Sequence, residues 1–349
     1  MLNPLGFSVY LSSFEAQRET LKANARPGTP VFLSLHISEE FSPDYVARVR
    51  EMCTFLVELG YRIIADVSVK TVAQFGQPDL VRLAHELGLW ALRVDYGFSV
   101  EEISALAAHL PVVLNASTTT PEDAARIAQA GELVMAMHNF YPRPETGLDE
   151  DFFRSSTQSL QAAGLKVLAF IPGDTLLRGP LHLGLPTLEH HRNLPPSVAF
   201  AQLALEYGVD GVFLADPGIS VEELHRIRRL CEDGVVEIPA QLDETGRDLY
   251  HRVFTCRADS PAWLIRFAES REYSCFGTQI QPWNCVERRA GCITVDNQEY
   301  GRYSGEVQLL RRRFPPDARV NVIGQIAPGY LPLAFCVKNG SSFTLTPWS

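Results

Sequence analysis

No apolar run in this 349-residue chain approaches the roughly 20 residues needed to cross a bilayer, so a membrane span is not expected. The first ten residues hold no basic stretch and lead straight into an apolar run, so a secretory signal is not expected either. Cysteine is sparse and unpatterned: seven residues, an odd number with no CxxC spacing, which argues against a zinc or disulfide framework and fits a cytoplasmic setting. Positive charge is outweighed. A formal charge of −10 repels nucleic acid and anionic membrane, whereas a small substrate needs only local cations. Glycine forms no dinucleotide or phosphate-loop fingerprint; Gly60, Gly88, Gly131 and Gly164 sit where helices are expected to stop. Lysine is nearly absent, with Lys22, Lys70, Lys166 and Lys338 the whole complement. With 46% hydrophobic and 21% charged residues, the chain can still bury a full core.

What is present is a rhythm. Eight short runs of Val, Ile, Leu, Phe and Ala each stop at a polar residue and are followed by an amphipathic helical pattern. The runs are 6–10, 30–36, 62–66, 91–95, 112–115, 133–139, 166–171 and 211–216, and they predict a (β/α)8 TIM barrel over 1–234. Helix signals agree. Ser42-Pro43 opens a helix closed by Gly60, Ser99 with Glu102 and Ser220 with Glu223 form capping boxes, and Thr120-Pro121 starts a helix expected to run to Gly131. Beyond about residue 235 the pattern changes to short β-rich runs at 235–238, 253–256, 264–269, 292–295, 307–310 and 320–326, which predict a small closed β-barrel or a sandwich over 235–349.

In such barrels the chemistry sits where the strands end. Those ends carry Tyr10, Ser34, His36, Asp66, Asp95, Asn115, His138, Asn139, Asp174 and Asp216. The first run lacks His-x-His, so a metal-dependent amidohydrolase arrangement fails at its first ligand pair. A Schiff-base aldolase would have only the poorly placed Lys70, since Lys166 enters its strand from the N-terminal side. Carboxylates remain, and paired acid–base work on Asp66 and Asp95 is the expected chemistry, with Glu189 as a reserve acid. The bland alternative is that each acid merely pairs with a neighbouring arginine such as Arg93. The segment His138 to Leu148 places His138, Asn139, Tyr141, Arg143 and Thr146 on a proline-stiffened loop, suited to a polyhydroxylated anionic ligand. From Pro172 to Pro196 runs a long aperiodic loop carrying Arg178, Glu189, His190, His191 and Arg192, expected to cover the site. In the β region Gly301-Arg302-Tyr303-Ser304-Gly305 presents a cation and two hydroxyls.

Several longer segments carry a resemblance that periodicity cannot supply. They include 6–10, Leu92 to Phe98, Leu114 to Thr118, His138 to Leu148, Gly184 to Arg192, Asp296-Asn297, Tyr300 to Tyr303 and 319–322. In these the sequence resembles the MupG family of 6-phospho-N-acetylmuramidases, nearly end to end. The resemblance implies a barrel followed by a cyclophilin-like β domain and hydrolysis of 6-phospho-N-acetylmuramic acid from N-acetylglucosamine in cell-wall recycling. It implies a phosphorylated amino-sugar disaccharide as partner and no cofactor or metal. Arg143, Arg192 and Arg302 are then expected to hold phosphate, and Tyr10, Asn115, His138, Asn139, Tyr141, Thr146, His190 and Tyr303 to contact sugar. The sequence departs from the family around 171–180 and Asp216, so no role for Asp174 or Asp216 is implied. Another phosphosugar enzyme, an isomerase or lyase, and a non-catalytic sugar-binding barrel are the alternatives, and a homodimer is compatible with either.

Overall fold

The computed structural model describes residues 2–35, 41–95, 97–271 and 279–348, apart from the side chain of Val69. His36, Tyr96 and Cys275 lie outside the described residues. Two compact units divide the chain, Asn3–Val221 and Glu222–Ser349.

The first unit is a TIM barrel. Eight parallel strands, β1 (Gly6–Val9), β2 (Pro30–Ser34), β3 (Arg62–Val67), β4 (Leu89–Val94), β5 (Val112–Asn115), β6 (Val134–Met137), β7 (Lys166–Ile171) and β8 (Gly211–Leu214), pair in chain order, and β8 closes on β1. Helices α1 (Phe14–Asn24), α2 (Tyr45–Glu58), α3 (Val69–Phe75), α4 (Leu80–Leu87), α5 (Val100–Ala107), α6 (Pro121–Ala128), α7 (Glu150–Ala162) and α8 (Pro196–Ala201) alternate with them, two of them between β3 and β4. Their starts follow local chemistry. Ser99 and Glu102 cap α5 reciprocally, and the Thr120 hydroxyl accepts from the Asp123 N–H at the head of α6. Helix α2 begins at Tyr45, later than Ser42-Pro43 suggested, because the Ser42 hydroxyl bonds the Asp44 carboxylate in a preceding turn. Gly60, Gly88 and Gly164 do stop their helices with left-handed backbone. Gly131 does not: α6 ends earlier, and a Cβ at Gly131 would lie 2.4 Å from the Ala107 carbonyl oxygen, so closeness to α5 requires glycine there.

Strand alternation fixes which residues can face a ligand. Tyr10, Phe32, Ile64, Ala91, Val113, Met135, Met137, Phe170 and Phe213 fill the barrel interior, while Leu114, Val134, Ala136 and Val167 pack outward against helices. Two residues beyond Ile64, Ala91, Val113 and Met137 on the same parity stand Asp66, Arg93, Asn115 and Asn139. A polar layer therefore caps an apolar one at the mouth.

The second unit begins with α9 (Val221–Asp233) and holds a seven-stranded sheet. Its strands β9 (Val235–Leu242), β10 (Val253–Thr255), β11 (Leu264–Arg266), β12 (Cys292–Asp296), β13 (Val307–Leu310), β14 (Val320–Ile326) and β15 (Ser342–Pro347) order as β10-β15-β9-β14-β12-β13-β11, antiparallel except for β9 with β15. The two end strands meet through a Cys256–Phe267 bridge, with Arg257 N–H donating to the Arg266 carbonyl at 3.0 Å, so the sheet curls back on itself. Phe254, Phe267 and Phe343 stack inside the curl. Sequence periodicity did not anticipate β15 or the short helix α10 (Leu331–Cys336).

Candidate active site

Arg93 organises the barrel mouth. Its Nη1 donates to Asp66 Oδ1 at 2.7 Å and lies 3.8 Å from Asp95 Oδ1, while its Nη2 donates to Asn139 Oδ1. Asn115 completes the ring, donating from Nδ2 to Asp95 Oδ1 at 3.0 Å. Four strands thus send one charged or amide side chain each into a single network, with Asp95 at the tip of β4. The two acids differ in access: the Asp95 side chain is 24% exposed and that of Asp66 8%. Arg93 Nε is buried with no acceptor among the described residues, the kind of orphan donor that concentrates at functional sites. The pairing with Arg93 foreseen as the bland alternative is therefore real, and it converges both acids instead of separating them.

Around this layer the mouth carries phenols and cations. Tyr10 is buried, its hydroxyl donating to the Ala215 carbonyl at 2.7 Å, so it offers a ring and not a hydroxyl to the mouth. Over that ring, 4.5 Å from its centroid, lies the guanidinium of Arg178, which is also 5.8 Å from the Phe140 ring. Its guanidinium makes no ion pair within 4 Å among the described residues, although its charge is felt by the Asp216 carboxylate. Arg143 is exposed and likewise has no ion-pair partner among the described residues. The Tyr141 hydroxyl is 3.4 Å from the Ser117 hydroxyl, beside Asn115, whose Oδ1 accepts the Ser117 N–H. Sequence reading passed over Arg93 and Arg178 as site residues. The parity of Arg93 with Ala91 on β4 was the available signal for the first; the second sits in an aperiodic loop with none.

Other expected contacts are committed elsewhere. His138 continues the outward parity of β6: it is fully buried, stacks on Phe153 at 4.6 Å and bonds the Thr157 hydroxyl at 3.0 Å, and burial pushes its pKa down to about 4. It is a core histidine between β6 and α7, not a sugar contact. Glu189 accepts from Arg192 at 2.7 Å through both oxygens and from the Glu145 and Gly147 N–H groups. The Arg192 bond, then those N–H groups, hold its pKa at about 2 against burial, so it makes a poor reserve acid. Arg192 in turn donates to the carbonyls of Leu183, Gly184, Tyr141 and Arg143, leaving no donor for phosphate. The pair is a clamp that ties the long loop to the 138–148 segment. Glu145 is held there at φ 68°, and a Cβ on Gly147 would approach Glu189 Cα to 2.8 Å.

Thr146 donates its hydroxyl to the Arg143 carbonyl at 2.6 Å, closing a turn instead of meeting sugar. His190 is exposed beside His191, its pKa lowered chiefly by partial burial, with Glu150 and Glu206 nearby opposing that, which places it near the head of α7. Asp216, left without a role by sequence, is buried and accepts the N–H groups of Gly173, Arg178 and Leu185 at 2.9, 2.9 and 3.0 Å, so it folds the base of the long loop and positions Arg178. Burial raises its pKa despite those bonds. Asp174 accepts the Ser220 N–H and hydroxyl at 2.7 and 2.6 Å, another structural use. Arg302 and Tyr303 belong to the second unit, where the guanidinium donates to its neighbour's phenol at 2.8 Å. The Asp296-Asn297 motif is internal to the sheet: Asn297 donates to the Ala318 carbonyl and Asn321, and burial pushes Asp296 up to about 7.

Fold and site together define a TIM-barrel protein whose mouth pairs two strand-end carboxylates through one arginine, under a loop that brings a second arginine over aromatic rings. The sequence matches the family profiles described as 6-phospho-N-acetylmuramidase, N-terminal, over residues 5–229, and 6-phospho-N-acetylmuramidase, C-terminal, over residues 236–346. The chain belongs to the 6-phospho-N-acetylmuramidase family. Among solved structures it is similar to a conserved Enterococcus faecalis protein of unknown function, with 30% identity, 99% of this chain and 96% of that chain covered, and a TM-score of 0.85. It also shares its fold with an uncharacterized B. cereus protein, at 24% identity, 99% and 100% coverage and a TM-score of 0.80. No curated protein matches the sequence. Among the described residues no helix is long and apolar enough to cross a membrane, and no cluster of His, Cys, Asp or Glu is arranged to hold a metal ion.

Proposed function

We propose that the protein is a glycoside hydrolase that releases 6-phospho-N-acetylmuramic acid from N-acetylglucosamine, an activity that belongs to the recycling of cell-wall fragments in the cytoplasm. The observation that carries this reading is the meeting of Asp66 and Asp95 on Nη1 of Arg93 at the strand ends of a barrel from this family. Oxygens 2.7 and 3.8 Å from one nitrogen are at most about 6.5 Å apart, close enough for the two carboxylates to flank one glycosidic bond, and we take the pair to work in the retaining mode. Asp95, the more exposed acid, gives its proton to the glycosidic oxygen as the N-acetylglucosamine leaves. Asp66, held beneath by Arg93, bonds the anomeric carbon, and water then releases the phosphosugar while Asp95 takes back a proton.

Arg178 and Arg143 are the cations available for the substrate's phosphate and lactyl carboxylate, since Arg192 is engaged by the loop clamp. Asn115, Asn139 and Tyr141 remain for hydroxyl and acetamido groups. Incubating the protein with 6-phosphomuramyl-N-acetylglucosamine should yield two monosaccharides by mass spectrometry, with the new phosphosugar first appearing by proton NMR as the anomer of the parent linkage. An isomerised or eliminated product would point instead to another phosphosugar enzyme. A disaccharide that binds and survives intact would make the barrel a sugar-binding protein.

A further inference from the structure

The opposite end of the same barrel is not sealed. At the strand starts lies a cavity of about 210 Å³, lined by Ile64, Met135, Leu168 and Phe213 from the interior, with Trp90 at its side. Gly211, where β8 begins, leaves that part of the wall without a side chain. Two cations flank the opening. Arg62 at the head of β3 lays its guanidinium 5.3 Å from the Trp90 ring centroid, and Lys166 stands at the head of β7; both are exposed, and neither has an ion-pair partner among the described residues. Asp210 also lines the cavity, yet its carboxylate already accepts the Val167 N–H at 2.8 Å and the Gln161 amide at 3.3 Å, within the wall.

In a chain with a formal charge of −10, Arg62 and Lys166 against Asp210 leave the lining of this one apolar cavity net positive, a local reversal of the prevailing field. The base of a TIM barrel ordinarily serves stability, where unpaired charge brings no gain. We infer that the N-terminal end of the barrel is a second ligand site, for an organic carboxylate with a single ring or a short branched apolar body. The size argues for this class: a cavity of about 150 Å³ takes one benzene ring, whereas drug-sized ligands occupy roughly 300 Å³ or more. A disaccharide does not fit. The apolar body enters among Ile64, Leu168 and Phe213, and the carboxylate stays at the rim in the field of Arg62 and Lys166, with Trp90 as a flat wall.

Trp90 is the sole tryptophan between Asn3 and Val221, which makes the site directly observable. In a full-length variant with Trp263, Trp283 and Trp348 changed to Phe, benzoate should change Trp90 fluorescence saturably. Benzamide, of the same shape without charge, should bind at least about tenfold more weakly. Lys166→Glu, a change at an exposed side chain, should weaken benzoate at least about tenfold and leave benzamide unchanged. Saturation-transfer NMR of benzoate on the unmodified chain gives the same comparison without any tryptophan substitution. Absence of saturable binding up to roughly 10 mM, equal affinity for benzoate and benzamide, or indifference to Lys166→Glu would overturn the inference. So would displacement of benzoate by the disaccharide, which would place the probe at the mouth.

Discussion

Two groups of acidic and basic side chains occupy the C-terminal end of the barrel, and they differ in what they bond. On the strands, Asp66, Arg93, Asp95, Asn115 and Asn139 are joined to one another by side-chain contacts. In the loops, Glu189, Arg192, Asp174 and Asp216 bond mostly backbone N–H and C=O groups, Glu189 and Arg192 also pairing together. A carboxylate shared among side chains can exchange a partner for a ligand without moving the chain. One that accepts two or three backbone N–H groups cannot let go without unfolding its loop. The same residue types therefore separate into chemistry and scaffold according to their partners.

The largest effect should come from the strand group. Asp95→Asn is expected to lower kcat by about 10²- to 10⁴-fold, the usual contribution of a positioned acid or base, with the melting temperature nearly unchanged. Steady-state kinetics and thermal unfolding of one preparation check both. A variant that melts early and turns over normally would put Asp95 in the scaffold. Arg93→Met tests the hub itself. Removing the guanidinium takes away the 2.7 Å charge-assisted bond that buried Asp66 accepts, so stability should fall by about 1.5–3 kcal/mol together with activity, measured by denaturant unfolding. A loss of activity with stability intact would mean that Asp66 has another partner strong enough to hold it.

The loop group should respond in pH and in KM. Glu189 has its pKa held at about 2 in the fold against an ordinary 4.5. Its contribution is complete above about pH 4.5 and is lost as pH falls toward 2, because the unfolded chain takes up a proton that the clamp refuses. Glu189→Gln should reduce the acid-side slope of stability in thermal melts between those pH values and, by loosening the 138–148 segment, raise KM several-fold more than it lowers kcat. Loss of turnover at unchanged KM would return Glu189 to the role of a reacting acid.

The barrel was legible in sequence because strands covered on both faces write themselves as apolar runs, and all eight appear where those runs stand. Asp66 and Asp95 were legible as strand ends for the same reason. Partners were not. Glu189 and Arg192 read as reacting and phosphate-binding groups because nothing in composition says that Gly147 lets the chain pass close enough for Glu189 to take its N–H. Arg178 reaches the mouth through a loop whose course is set by Asp216, 38 residues further along the chain, a contact no local pattern records. Parity, by contrast, was written plainly and under-used: His138 and Asn139 are adjacent in the chain and point to opposite sides of the wall.

That adjacency supports the smallest and most discriminating test. His138 is buried outside the barrel wall with its pKa pushed down to about 4, against an ordinary 6.5. Between those values the unfolded chain binds a proton that the folded chain refuses, so stability falls as pH drops from about 6.5 toward 4 and is unaffected by this group above 6.5. His191, buried and held at about 3, contributes a slope of the same sign in the same window. His138→Gln removes this contribution alone, so the difference in stability between the variant and the parent chain should change across that window by at most about 1.4 kcal/mol per pH unit, the parent losing stability faster as pH falls. Turnover at pH 7 should change less than about threefold, because a side chain stacked on Phe153 touches no ligand. A fall in kcat of orders of magnitude in a folded His138→Gln protein would show that the wall between the two parities is not where the chemistry stops.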